Sequence, residues 1–118
     1  MTDPTRWPEA RGTRGVVASP HRLASEAGLA ILRAGGNALD AAVAAATAIA
    51  VVYPHMNAIG GDSFWLVHDA GRRALLALSA AGRSAASVRL DDYRARFGAA
   101  IPARGGPAAL TVPGAVIA

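Results

Sequence analysis

The 118 residues contain no cysteine, which excludes disulfides, a thiol nucleophile, iron–sulfur clusters and cysteine-ligated zinc. Lysine is absent too, so all twelve basic residues are arginines, set against eight acidic ones for a net charge of +4. The arginines are scattered, the tightest pair being Arg72 and Arg73, and no basic run is interleaved with aromatics. Despite the high pI, the pattern does not predict nucleic-acid binding. No apolar run follows the start Met1-Thr2-Asp3-Pro4-Thr5-Arg6-Trp7-Pro8, so this is not a secretory signal. Two prolines and mixed charge predict a flexible arm over residues 1–13. Thr2, bared by loss of Met1, is formally an N-terminal nucleophile, but nothing nearby would fix it, and an ordinary tail is the expectation. The one long apolar stretch, residues 38–53, is also too short for a membrane. Its roughly 16 residues rise about 24 Å as a helix, against a hydrocarbon core of ~30 Å. It contains Asp40 and Thr47 as well. The chain is expected to be soluble and cytoplasmic, without membrane contact.

What is present argues for folding. A hydrophobic content of 53% with 17% charge is the composition of a folded chain, not of a disordered one. Alanine makes up about a quarter of it. The length suits one small domain at most, able to bury roughly two-thirds of its unfolded surface.

Gly15-Val16-Val17-Ala18 reads as a first strand. Ser19-Pro20 then reads as an N-cap with proline at the first helical position. That helix should run to about Ala34, with Leu23, Ala27, Ala30, Ile31 and Ala34 near one face. Gly35-Gly36 supplies a left-handed stop. Asn37 caps a second helix, and Asp40 in its first turn complements the helix dipole. This second helix is apolar nearly all round and needs enclosure on several sides. Its alanines imply close approach of neighbours, and the chain offers few elements to surround it, so it reads as part of something larger. Residues 63–68 and 73–79 read as the strands of a hairpin around the turn Asp69-Ala70-Gly71-Arg72. Asp91 should cap a short helix through about Phe97, with Leu90 packing back as a hydrophobic staple. Leu110-Thr111-Val112-Pro113-Gly114 looks like a strand end entering another helix. The pattern is α+β.

Chemistry is sparse when read from spacing alone. His21, His55 and His68 match no metal-ligand spacing, and no cofactor or metal is expected. Ser63, His55 and Asp62 could be drawn as a triad, but no Gly-x-Ser-x-Gly elbow surrounds any serine. Gly35-Gly36 and Gly60-Gly61 each lack the further glycines that bring several N–H groups onto a phosphate. The segments 35–40 and 60–62 read as structural, their glycines serving close packing and Asn37 and Asp40 satisfying helix-start N–H groups.

The longer motifs carry more. Gly15-Val16-Val17-Ala18-Ser19-Pro20-His21, Ala24-Ser25, Gly28, Ile31-Leu32 and Gly35-Gly36-Asn37-Ala38-Leu39-Asp40-Ala41-Ala42-Val43 together resemble the start of the γ-glutamyltransferase (γ-glutamyltranspeptidase) family. The resemblance continues through Val51-Val52-Tyr53-Pro54, Ile59-Gly60-Gly61-Asp62-Ser63-Phe64 and Thr111-Val112-Pro113-Gly114, covering residues 14–118. It implies a partial domain: the N-terminal part of the large subunit of an αββα N-terminal-nucleophile hydrolase. Such enzymes are made as one precursor that cleaves itself before a threonine, whose freed amine then serves as base for its own hydroxyl. That threonine lies downstream in the small subunit, so no catalytic residue is expected here, and the 118 residues alone are expected to be inactive.

The resemblance also implies a small-molecule substrate, a γ-glutamyl compound such as glutathione. The partners it implies are the rest of the large subunit and the small subunit from the same precursor. At one place the pattern departs. Typical members read Arg-Glu-x-Ala-Pro after the hairpin, and that arginine grips the substrate α-carboxylate. Here the segment is Ser79-Ala80-Ala81-Gly82-Arg83-Ser84-Ala85-Ala86, with Ala81 where the arginine belongs and Arg83 two residues later. It looks closer to a divergent group with Gly-Arg-Ala-Pro at this place. Arg83 is the candidate substrate-binding residue, able to offer a bidentate fork; the other reading makes it a turn cap or a surface pair. Two alternatives to γ-glutamyl transfer stay open, a related glutaryl- or cephalosporin-type acylase and a non-catalytic small α+β binding module.

Overall fold

A computed structural model of the protein describes residues 9–106 and 111–117. The chain divides into two compact units, Met1–Asn57 and Ala58–Ala118. The first holds α1 (Arg22–Arg33) and α2 (Ala38–Val52), and the second holds β1 (Ser63–Asp69), β2 (Ala74–Ala80), α3 (Leu90–Phe97) and the short α4 (Gly114–Ile117). The mixture is α+β, as the pattern predicts. Of the expected arm, residues 9–13 have no regular structure and are exposed, while residues 1–8, Thr2 among them, lie outside the described residues.

In the first unit the expected strand over residues 15–18 does not form. Its β-branched residues lie in irregular chain, with Val16 58% exposed, because a strand needs a neighbour for its backbone groups. Among the described residues the only sheet is β1 with β2. The start of α1 also differs from expectation. Its cap is His21, extended at φ −132° and ψ 130°, whose Nδ1 accepts the Leu23 N–H at 3.2 Å. Ser19 is engaged elsewhere: its hydroxyl donates to the His21 carbonyl at 2.8 Å and lies 2.7 Å from the Ser25 hydroxyl. The helix ends as predicted. Gly35 takes φ +90°, and the N–H groups of Gly35 and Gly36 return to the carbonyls of Leu32 and Ile31, closing a Schellman turn.

Asn37 caps α2 as expected. Its Oδ1 accepts from the N–H groups of Leu39 and Asp40 at 2.8 and 3.0 Å, and Asp40 Oδ2 accepts the Asn37 N–H at 3.1 Å. The two helices meet on small residues. Ala24 and Ala41 are 0% and 2% exposed, and a Cβ on Gly28 would come within 2.9 Å of the Ala41 carbonyl oxygen. The buried face of α1 is therefore Ala24 and Gly28, one position round from the expected stripe, and Leu23 is left largely exposed. Glycine and alanine let the two backbones approach to a distance that leucine would forbid, multiplying the atom pairs in contact. α2 keeps Leu39, Val43 and Val51 exposed, in line with a helix that this chain cannot enclose.

In the second unit β1 and β2 pair antiparallel from Ser63 opposite Ala80 to Asp69 opposite Ala74. The strands are one residue out from the expected bounds at the turn. The loop is residues 70–73, and Asp69 joins the ladder while its Oδ1 accepts the Arg72 N–H at 3.0 Å. Arg73 closes the loop at φ +51°. The register puts Phe64, Leu66, Leu75 and Ala77 on one face and Trp65, Val67, Leu76 and Leu78 on the other. A pair apolar on both faces has the pattern of a layer covered from both sides. Trp65 Nε1 is buried and has no hydrogen-bond partner among the described residues.

α3 begins earlier than expected. Its N-cap is Arg89, with no side-chain cap bond, so Asp91 lies inside the first turn beside Asp92. There the two carboxylates face the positive helix end. Leu90 is the first helical residue and largely exposed, hence no staple. Thr111 and Val112 are not a strand, but the helix entry at Gly114 is found; Leu110 lies outside the described residues. Among the described residues no helix is long and apolar enough to cross a membrane.

Candidate functional site

Arg83 follows the end of β2 in the second unit and is exposed. Its guanidinium makes no hydrogen bond or ion pair among the described residues, whereas its backbone is held on both sides. The N–H of the preceding Gly82 donates to Asp62 Oδ1 at 2.7 Å. The Arg83 carbonyl accepts the Val112 N–H at 2.9 Å. Three segments thus converge: the Gly60-Gly61-Asp62 turn, the end of β2 with its loop, and the Thr111-Val112-Pro113-Gly114 run.

Contact among these segments is backbone to backbone. A Cβ on Gly82 would collide with the Val112 carbonyl oxygen and Thr111 Oγ1, and one on Gly114 would collide with the Ala80 carbonyl oxygen. Close approach, not positive φ, is what demands glycine at both places. The N–H of Ala115 donates to the Gly61 carbonyl at 2.8 Å, tying the start of α4 to the same turn. The cluster fixes the backbone from which the Arg83 side chain projects, and a guanidinium fork matches both oxygens of a carboxylate.

The histidines take other places. His21 caps α1, and His55 is exposed with its ring 4.1 Å from that of Tyr53. His68 is exposed on β1 opposite Leu75. Asp62, drawn above as a triad member, is occupied by Gly82. Among the described residues no group of three His, Asp or Glu is placed to hold a metal ion. The first unit carries a groove of about 600 Å³ between residues 14–20 and α2, whose one charged lining side chain is Arg14. Its walls are mostly alanine, valine, leucine and isoleucine; its two polar side chains are Ser19, bonded to the His21 carbonyl and near the Ser25 hydroxyl, and Asn37, which caps α2. The Asp62–Gly82 link went unread in the sequence: no periodicity joins residues 20 apart, and an aspartate after two glycines reads as a turn residue.

Residues 24–118 match the Gamma-glutamyltranspeptidase family. The chain is 51% identical over 105 residues to the Glutathione hydrolase-like YwrD proenzyme of Bacillus subtilis, covering 89% of this chain and 20% of that protein. It is 50% identical over 104 residues to the Oxamate amidohydrolase proenzyme of Klebsiella pneumoniae, covering 88% of this chain and 19% of that one. In structure it is similar to the gamma-glutamyltranspeptidase of Helicobacter pylori, with a TM-score of 0.80 at 36% identity over 93% of this chain and 32% of that chain. The chain belongs to the gamma-glutamyltranspeptidase family, whose members are enzymes, and it corresponds to the N-terminal part of the large subunit. Its α+β fold is that portion of an αββα N-terminal-nucleophile hydrolase sandwich. It spans about a fifth of the length of the curated relatives it matches.

Proposed function

We propose that this chain is the N-terminal part of the large subunit of an enzyme that transfers or hydrolyses γ-glutamyl groups, taking glutathione and related amides as substrates. The nucleophile is a threonine of the small subunit released from the same precursor, and the 118 residues alone are inactive. The working partners are the remainder of the large subunit and that small subunit. Within this segment Arg83 reads the substrate α-carboxylate. The observation that carries this reading is a guanidinium without a partner among the described residues, on a loop whose backbone is bonded on both sides.

A second reading has its own support. Arg83 stands two positions from the family's usual arginine, and one close relative is named for oxamate, a short acid amide. An acyl-amide hydrolase of glutaryl or similar specificity would use the same cation for a carboxylate placed differently along the substrate.

The test is kcat/KM in the complete matured precursor for a γ-glutamyl amide and for its analogue lacking the α-carboxylate. Arg83→Ala should raise KM for the first by roughly ten- to a hundredfold, the worth of one charge-assisted pair. Arg83→Lys should recover part of that, because a point charge cannot reproduce the planar fork. Equal losses on both substrates, or none on either, overturn the assignment of Arg83.

A further inference from the structure

We propose that Asp62 is the positioning residue for Arg83: its carboxylate holds the Gly82 peptide in place and so aims the guanidinium at the substrate carboxylate. The proposal rests on the reading of Arg83 given above. The backbone ladder of the hairpin ends at Ser63 opposite Ala80. Asp62 is the residue just outside that last pair, and Gly82 lies two residues past it on the other strand. The 2.7 Å bond from the Gly82 N–H to Asp62 Oδ1 therefore takes over where backbone pairing stops, and it turns the chain out of the sheet.

On its other side the loop is stopped by residues 111–112, which leave no room for a side chain at Gly82 and which bond the Arg83 carbonyl through the Val112 N–H at 2.9 Å. With an anchor before Arg83 and another after it, only the side-chain torsions of Arg83 remain to be ordered when substrate binds. Such preorganisation improves affinity by lowering the ordering cost of the bound state. An acceptor at this position serves the purpose; a negative charge adds nothing to it, since a carboxylate repels an anionic substrate. The geometry thus separates the two properties of Asp62.

The experiment compares Asp62→Ala, Asp62→Asn and Arg83→Ala in the complete matured precursor. Asp62→Ala should raise KM for the γ-glutamyl amide about tenfold with kcat little changed, and leave the analogue without the α-carboxylate unaffected. Asp62→Asn keeps Oδ1 as acceptor and should recover most of the loss. Losses equal on both substrates, or an Asn variant as impaired as Ala, overturn the proposal. Should Asp62→Ala fail to mature, Asp62→Ser takes its place, with a smaller KM rise expected and wild-type behaviour overturning. Hydrogen exchange of the Gly82 amide gives an independent readout, faster in Asp62→Ala and protected in Asp62→Asn. If Arg83→Ala shows no discrimination while exchange follows this order, the Arg83 reading has failed and the clamp stands; if exchange is unaltered, the clamp itself is refuted.

Discussion

In the first unit α1 and α2 lie against each other at Ala24, Gly28 and Ala41, and each helix is closed locally by its own caps and turn. In the second, segments 20 to 54 residues apart are joined by single backbone or side-chain hydrogen bonds, Gly82 to Asp62, Val112 to Arg83 and Ala115 to Gly61. The helical unit depends on small side chains that let helices touch. The sheet unit depends on amides and carbonyls that must find one specific partner. The first arrangement tolerates sliding and is local in sequence, whereas the second fixes one loop geometry. A loop that must present a charged side chain to a ligand benefits from the second kind.

The largest expected effect removes outside cover from both units at once. With α2 exposing Leu39, Val43 and Val51 and β1 exposing Phe64 and Leu66, the isolated 118 residues should aggregate or form a molten species that binds hydrophobic dyes. A monomer with a sharp cooperative thermal transition would contradict this. The next contrast sets the two kinds of contact against each other in the complete precursor. Gly114→Ala drives a methyl into the Ala80 carbonyl and should cost about 3 kcal/mol. Gly28→Ala meets a 2.9 Å approach to the Ala41 carbonyl but gains helix propensity, for a net loss of about 1 kcal/mol. Denaturant midpoints decide it, and equal losses would erase the distinction between the units. The smallest and most local effect is Asn37→Ala, which removes one cap for about 1 kcal/mol or less. It should lower the melting temperature slightly and leave activity per folded molecule intact; lost catalysis at an unchanged melting temperature would move Asn37 into the functional set.

Local signals were legible where one residue does one thing. Asn37 marks the cap of α2 and Gly35 the turn that ends α1; both stand as expected, and Asp40 adds the reciprocal bond of a capping box. Ser19 misled because its hydroxyl has two better-placed partners, which left the cap to His21. Asp91 misled because an acidic residue suits the first turn as well as the cap position. The valines of residues 15–18 have strand propensity, yet propensity cannot supply a neighbouring strand. The hairpin was readable from its apolar runs, with its turn displaced by one residue. Arg83 was reachable only through family resemblance, and its two backbone anchors only in three dimensions, because Asp62 and Val112 reach it from 21 and 29 residues away.

A helix that is oily on every side gives water no means of choosing how it is turned about its own axis. For α2 that choice falls to the notch at Gly28, where the Ala41 carbonyl and the Ala45 methyl come closest. The angular setting of the helix is thus indexed sterically at one spot. Exchanges at its outward Leu39, Val43 and Val51 leave that setting alone, while any enlargement at residue 41 or 45 forces the shaft to rotate and carries every other side chain of the helix round with it.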